Sequence, residues 1–230
     1  MSLGKTTQTI LSGVSEFFGL DMGTSAARVV QLKGSGPVKA LYRYGQAPFS
    51  GTLALSEAQG DRTRVAQSIR DLIKQTGIST KNVAVNLPSS HVFTTVVDID
   101  KMPDAELAKT IHYQADSYIP TAMSQSKIDW AVIGGSPKDP KKVEVLLSSV
   151  DNKFVESRLD MLESIGLNVI AFEPDSLALT RAVVPADATT AEMVLDIGNI
   201  ATDLVISIAG VPHLSRSIPV GTSTIVRAAM

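Results

Sequence analysis

The 230-residue sequence contains no cysteine, only three histidines, and few aromatic residues, which make up 5% of the chain. The absence of cysteine excludes disulfides, thiolate metal sites and cysteine nucleophiles. No apolar run is long enough to span a bilayer as a helix. The net charge of −2 gives no basic excess that would point to nucleic acid or to an anionic membrane surface as a partner.

Hydrophobic residues make up 44% of the sequence, which is typical of a folded globular protein. Helical and strand-like segments alternate along the chain, and this alternation predicts an α/β or α+β fold. We expect Gly77 to end one helix and Asp151 to cap the start of another. The predicted helices are 6–18, 61–76, 104–118, 151–165 and 175–183, and the predicted strands are 19–23, 27–32, 38–44, 82–87, 92–99, 127–133, 143–150, 168–172, 193–198, 202–209 and 212–220.

The most informative feature is an internal repeat with a separation of 175 residues, from Asp21 to Asp196. Each copy reads apolar–Asp–apolar–Gly, followed by a short turn of small or polar residues and a second strand. The same separation relates Pro37 to Pro212, which lie in the turns that lead to a third strand. An Asp-x-Gly turn is common, so one copy would be weak evidence, but two copies in matching strand contexts favour a shared role.

The chemistry of this turn suits phosphate. A glycine directly after a buried strand lets the backbone approach a bulky anion, and nearby hydroxyl, amide and backbone N–H groups donate to phosphate oxygens. An aspartate at the strand end binds Mg²⁺, usually through water. We therefore predict that two facing hairpins grip a polyphosphate, with magnesium held by Asp21 and Asp196. The predicted ligands are Asp21, Gly23, Thr24 and Ser25 in the first hairpin and Asp196, Gly198, Asn199 and Thr202 in the second.

These hairpins resemble the phosphate-1 and phosphate-2 loops of the actin-like ATPase superfamily, which includes actin, FtsA, MreB, heat-shock chaperone ATPases and sugar kinases. Within it the sequence most resembles the PilM family, the cytoplasmic, FtsA-related proteins of type IV pilus assembly. Arg28 departs from the lysine usual in that family. The stretches that carry the resemblance are 19–32, 102–107, 114–120, 128–130, 164–167, 172–179 and 194–220.

The resemblance implies ribonuclease H-like subdomains with an inserted α+β subdomain. We expect residues 1–90, with an N-terminal helix, to form the first subdomain and 91–166 to form the insertion. Residues 167–190 would return to the first subdomain, and 191–230 would begin the second. The sequence shows no counterpart of the later subdomain that supplies the adenosine pocket, so the fold is expected to be truncated at its C-terminus.

The resemblance also implies a function as a scaffold. Such a protein binds ATP and Mg²⁺, and a groove between the main and inserted subdomains binds the cytoplasmic tail of an inner-membrane, PilN-like protein. It would be cytoplasmic and held at the inner membrane through that partner. ATP would act mainly as a conformational ligand, with at most a weak ATPase activity, and self-association stays open.

Two alternatives remain: an FtsA-like division or filament protein, and a small-molecule kinase of the same superfamily. A kinase needs a group that orients a water or an acceptor hydroxyl, and Glu173 and Asp175 are candidates. Capping of a helix N-terminus explains these acids more simply. The Tyr118–Pro120 and Glu173–Leu179 stretches favour the PilM family over both alternatives.

Overall fold

A computed structural model describes residues 14, 16–34, 38–49, 53, 56, 58–185 and 187–230. These residues form eleven strands and five α-helices, joined in places by short 3-10 turns. In chain order they are β1 (Phe18–Met22), β2 (Ala26–Lys33), β3 (Ala40–Pro48), α1 (Gln59–Thr76), β4 (Asn82–Leu87), β5 (Val92–Asp100), α2 (Asp104–Tyr118), β6 (Ser126–Gly135), β7 (Lys142–Asp151), α3 (Asn152–Ser164), β8 (Asn168–Pro174), α4 (Asp175–Val183), β9 (Ala191–Ile197), β10 (Thr202–Ile208), β11 (Val211–Ile218) and α5 (Thr222–Ala229).

The chain divides into two compact units. The first unit contains the described residues up to Pro88 together with Glu156–Asp175, and the second contains Ser89–Val155 and Ser176–Met230. The boundary between the units passes through α3. The four segments predicted from the sequence do not map one-to-one onto these units and stay a prediction.

The first unit is built on a five-stranded sheet with the order β3-β2-β1-β4-β8. Strands β1, β2 and β3 are antiparallel neighbours, whereas β1–β4 and β4–β8 are parallel pairs. Alternate residues of β1 and β4 are buried on one face, as expected for strands with one face covered by helices. Helices α1 and α3 contribute to that core, whose buried members include Leu20, Val83, Val85, Ile69 and Leu162.

The second unit contains two three-stranded antiparallel sheets, with the orders β5-β7-β6 and β11-β10-β9. Helix α2 packs on the first of these sheets through every third or fourth residue, the spacing of one helical face. The buried core formed in this way includes Leu107, Ile111, Ala115, Val145 and Leu147. Strand β11 contacts β5, so the two sheets adjoin within the unit.

The structure confirms the predicted α/β class and most of the predicted elements. Gly77 ends α1 with φ 69°, and the Asp151 carboxylate accepts from the Phe154 N–H at 3.1 Å at the start of α3. Most of the predicted N-terminal helix, 6–18, lies outside the described residues. Its described part was assigned wrongly: Val14, Glu16 and Phe17 are not helical, and Phe18 begins β1 and is buried in the sheet opposite Val83. Helix α5 was not predicted.

Candidate functional site

The two repeated hairpins have the same loop. In the first, Met22 pairs with Ala27, and in the second Ile197 pairs with Thr202. Each pair therefore closes a four-residue connection that begins with a glycine, at positions 175 residues apart. The sequence repeat is thus a structural repeat, with matching strand register on both sides of the turn.

The backbone approaches closely at the glycine that starts each loop. A Cβ added to Gly198 would lie 2.9 Å from the Ala201 carbonyl oxygen, and one added to Gly23 would lie 3.2 Å from the Ala26 carbonyl oxygen. In both loops the crowded oxygen belongs to the residue three positions later. A side chain at Gly198 would have to open the turn, whereas one at Gly23 would displace its neighbours by a few tenths of an ångström, so close packing favours both glycines independently of ligand binding.

The first hairpin holds its own ion pair. Asp21 and Arg28 lie directly opposite each other on β1 and β2, and Arg28 Nη1 donates to Asp21 Oδ2 at 2.9 Å. Both side chains are about half exposed, so this pair adds little stability by itself. The pair places a carboxylate and a guanidinium beside the loop, which are groups that suit a metal ion and a phosphate.

The end of β1 is also fixed to its parallel neighbour. The Met22 N–H donates to Asn86 Oδ1 on β4 at 2.7 Å. Glu173 on β8 lies opposite Asn86 in the parallel register, so this candidate acid is one strand further from β1. Asp175 is the first residue of α4, the position at which an acid is favoured by the helix dipole. The catalytic roles of Glu173 and Asp175 stay predictions.

The second loop is held by helix α5. The Thr222 and Ser223 N–H groups donate to the Gly198 and Asn199 carbonyl oxygens at 2.9 and 3.0 Å. In a trans peptide the N–H points opposite to the C=O of the preceding residue. The N–H groups of Asn199 and Ile200 therefore point away from α5, and neither has a backbone acceptor among the described residues. Two adjacent backbone donors of this kind form an anion-binding arrangement.

The hydroxyl of Thr202 has a hydrogen-bond partner within the chain. It donates to the Val220 carbonyl oxygen at 2.7 Å and so links the end of β10 to the segment before α5. Thr202 therefore supports the loop in this structure through its own hydrogen bond. Its predicted contact with phosphate stays a prediction, as do those of Thr24 and Ser25.

A carboxylate that was not predicted from the sequence lies beside Asp196. Asp203, on β10, lies directly opposite Asp196 on β9. On its other side Asp203 lies directly opposite Ser217 on β11. Burial raises the pKa of Asp203, the nearby Asp196 carboxylate raises it further, and a hydrogen bond from Ser217 opposes the shift. Asp203 Oδ1 is buried without a hydrogen-bond partner among the described residues. Two adjacent carboxylates with an unsatisfied oxygen suit a cation.

The hairpins therefore differ in charge at the same position. The separation of 175 residues maps Arg28 onto Asp203, so the first hairpin carries an Asp–Arg pair and the second an Asp–Asp pair. That correspondence was available from the sequence and would have identified Asp203. The first hairpin belongs to the first unit and the second hairpin to the second unit.

The described part of the chain contains no cluster of three or more His, Cys, Asp or Glu side chains arranged to hold a metal ion. A cation at Asp196 and Asp203 would therefore take its other ligands from water or from a phosphate, which is usual for Mg²⁺. Among the described residues, none of the helices combines the length and the apolar character needed to cross a membrane.

Comparison with known proteins assigns the family. A family described as "Type IV pilus assembly protein PilM" matches residues 19–223 of the sequence. The chain belongs to the PilM family. The match begins at β1 and ends at the start of α5, so it includes both hairpins and the segment between them.

Solved structures agree on the fold. A PilM-PilN type IV pilus biogenesis complex contains a chain with 23% sequence identity and a TM-score of 0.79, and the match covers 93% of this PilM chain and 64% of that chain. The cytoplasmic domain of EpsL, an inner membrane component of the type II secretion system of Vibrio cholerae, has 16% sequence identity and a TM-score of 0.55. That match covers 89% of the present chain and 71% of the EpsL domain. A Bacteroides thetaiotaomicron protein of unknown function with an actin-like ATPase fold has 9% sequence identity and a TM-score of 0.50. That match covers 96% of the present chain and 76% of the Bacteroides protein.

These likenesses confirm the actin-like ATPase fold predicted from the hairpins. This PilM chain spans less than two thirds of the length of the relative from the PilM-PilN complex. It has the actin-like fold of these structures.

Proposed function

We propose that this PilM chain is a cytoplasmic scaffold that binds Mg-ATP and the cytoplasmic tail of a PilN-like inner-membrane protein. The observation that carries the proposal is the family match over residues 19–223. A second support is the PilM-PilN complex that contains the structurally similar chain. Attachment to the membrane would come from the partner, which would link cytoplasmic events to the membrane-embedded assembly machinery.

The two hairpins would make different contributions to nucleotide binding. Asp196 and Asp203 would hold Mg²⁺, through water where needed, because they combine two adjacent charges with an unsatisfied buried oxygen. The Asn199 and Ile200 N–H groups would donate to phosphate oxygens. Within the first hairpin, Asp21 would bind a cation and Arg28 would pair with phosphate charge.

Bound Mg²⁺ would neutralise phosphate charge and compensate the repulsion between the two carboxylates of the second hairpin. The residues of the chain would orient the phosphates and fix the backbone amides. ATP would then shift the chain between conformations by an amount set by its difference in affinity for them. Under this proposal hydrolysis is at most weak and is not needed for the scaffold to act.

The inserted segment, residues 91–166, would contribute to binding the partner tail. The direct test is a calorimetric titration of the chain with the cytoplasmic-tail peptide of a PilN-like protein from the same genome. We expect saturable binding at micromolar concentration, about −8 kcal/mol, and no binding of a scrambled peptide of the same composition. Equal binding of the two peptides, or no binding of either, would contradict the scaffold proposal.

A further inference from the structure

The hairpin of β2 and β3 carries positive charge and no negative charge. Residues 26–49, which include both strands, contain no aspartate or glutamate, although the whole chain has a net charge of −2. The basic residues in this range are Arg28, Lys33, Lys39 and Arg43. Arg28 pairs with Asp21, whereas the other three have no acidic partner in the described part of the chain. The hairpin is therefore a local positive surface on an acidic protein.

The same hairpin exposes apolar side chains along one face of its sheet. Val30 lies directly opposite Tyr44, and Leu32 lies directly opposite Leu41. All four side chains are exposed, and Tyr44 is 70% exposed. Val38, two residues before the start of β3, is 84% exposed. Because adjacent exposed apolar side chains of this kind are costly in water, they indicate a surface that contacts a partner.

The cations lie beside an aromatic ring of the hairpin. The Nζ atom of Lys33 is 4.5 Å from the centroid of the Tyr42 ring, and the Cζ atom of Arg43 is 4.8 Å from it. The ammonium group of Lys39 donates to the Gly34 carbonyl oxygen at 2.6 Å. These contacts hold the side chains at the hairpin without neutralising their charge. Basic, aromatic and aliphatic groups are thus combined in one hairpin at the edge of the sheet.

This combination fits the surface of an anionic bilayer. Aliphatic side chains enter the region of the headgroups, and tyrosine is favoured there because its ring is apolar and its hydroxyl is polar. The long apolar stems of lysine and arginine let their charges stay at the level of the lipid phosphates. Each such cation strengthens binding to an anionic membrane by roughly fivefold. A soluble acidic polypeptide would match the charges alone.

We propose that the β2–β3 hairpin docks directly on a membrane that contains acidic phospholipids. Lys33, Lys39 and Arg43 would contact the lipid phosphates, and the exposed face that includes Val38 and Leu41 would enter the headgroup region. This inference goes beyond the proposed function, in which a partner protein attaches the chain to the membrane. Direct contact with lipid would add a second, weaker attachment that orients the first unit.

The charge is tested by cosedimentation with vesicles of phosphatidylcholine alone and of an equimolar mixture with phosphatidylglycerol. We expect binding to the mixed vesicles only. The double variant Lys33→Gln/Lys39→Gln should weaken that binding by roughly tenfold or more, because it removes two of the three free cations. The matched control is Lys109→Gln/Lys141→Gln, which removes two exposed lysines from the second unit. It should bind as the unmodified chain does, since the proposal gives these lysines no contact with lipid.

The apolar contribution is tested by Val38→Ser/Leu41→Ser, which keeps every charge. Burial of the two side chains in the bilayer interface predicts roughly tenfold weaker binding of this variant to the mixed vesicles. Both positions are exposed, so its thermal unfolding should match that of the unmodified chain. If the double variant does not fold, Val38→Ser alone, outside β3, provides the same comparison.

Three results would overturn the inference. The first is no binding of the unmodified chain to mixed vesicles, or equal binding to the two kinds of vesicle. The second is a lysine variant that binds as tightly as its control. The third is vesicle binding that the apolar variant retains in full and that soluble polyglutamate abolishes by competition, which would assign the hairpin to an acidic polypeptide instead. None of these results bears on binding of Mg-ATP or of a PilN-like tail, which are measured separately.

Discussion

The charge at the position opposite each loop aspartate distinguishes the two hairpins. Arg28 occupies this position in the first hairpin and Asp203 in the second. The sequence predicted the aspartates and glycines because they stand at a constant separation. It could also have predicted Asp203 by the same separation. The burial of Asp203 and its hydrogen bond from Ser217 depend on the pairing of β10 with β11. No local pattern in β9 or β10 predicts that pairing.

The pairing of Asp196 with Asp203 is expected to lower the stability of the folded protein, and a substitution at Asp203 should remove that cost. Because the pKa of Asp203 is raised in the folded state, the native protein binds the proton more tightly than the unfolded chain. Stability therefore falls as pH rises from about 3.8 through the raised pKa, and the full cost is present above it. Asp203→Asn should raise the melting temperature at pH 7 by roughly 2 °C, with the difference vanishing near pH 3.

Scanning calorimetry at several pH values with and without Mg²⁺ checks this expectation. Mg²⁺ should raise the melting temperature of the unmodified chain more than that of Asp203→Asn, because the cation offsets the same repulsion. The matched control is Asp129→Asn on β6, which belongs to a different sheet from either hairpin. A lower melting temperature for Asp203→Asn at pH 7 would show that the carboxylate stabilises the fold, contrary to this account.

Helices and strands that bury one face were predictable from the sequence. Helix α5, which is held by hydrogen bonds, was not. Alternating burial in β4 and the regular spacing of buried residues in α1 and α2 come from the sequence pattern. Helix α5 has no buried residues and leaves Ile225 and Val226 exposed. It is positioned by donors to the carbonyl oxygens of the second loop, and such tertiary hydrogen bonds leave no periodic signal in the sequence.

The attachment of α5 to the loop depends on Gly221. A Cβ there would lie 2.5 Å from the Asn199 carbonyl carbon and oxygen, which are backbone atoms that cannot rotate away. Gly221→Ala should therefore separate α5 from the loop, cost about 1–3 kcal/mol of stability and weaken Mg-ATP binding.

Urea unfolding and calorimetry measure the two effects. Gly60→Ala is the matched control, since a Cβ on this residue of α1 meets no atom within 4 Å. Alanine is preferred over glycine in a helix, so the control should be neutral or stabilising by up to about 1 kcal/mol. Equal stability of Gly221→Ala and the unmodified chain would mean that the loop and α5 are not coupled.

For the whole molecule, the fold followed from a repeat and a family resemblance more than from local propensities. The hairpins at Asp21 and Asp196 identified the actin-like class, and the family match over 19–223 agrees with it. Propensity alone placed the strands without their order, because the parallel pairs β1–β4 and β4–β8 join segments far apart in sequence. The burial of Arg158 on α3 was likewise not predictable from the sequence. In the sequence its position resembles that of an ordinary surface arginine.

Calorimetry of ATP binding, with and without Mg²⁺, to the unmodified chain and to Asp21→Ala tests directly whether the first hairpin binds Mg-ATP. We expect Asp21→Ala to weaken Mg-ATP binding by about tenfold or more, the scale of one charged contact. Binding of ATP without Mg²⁺ should not weaken, because removing Asp21 frees Arg28 for phosphate. Asp71→Ala, an exposed change on α1, should behave as the unmodified chain. Unchanged Mg-ATP affinity in Asp21→Ala would contradict the assignment of the first hairpin.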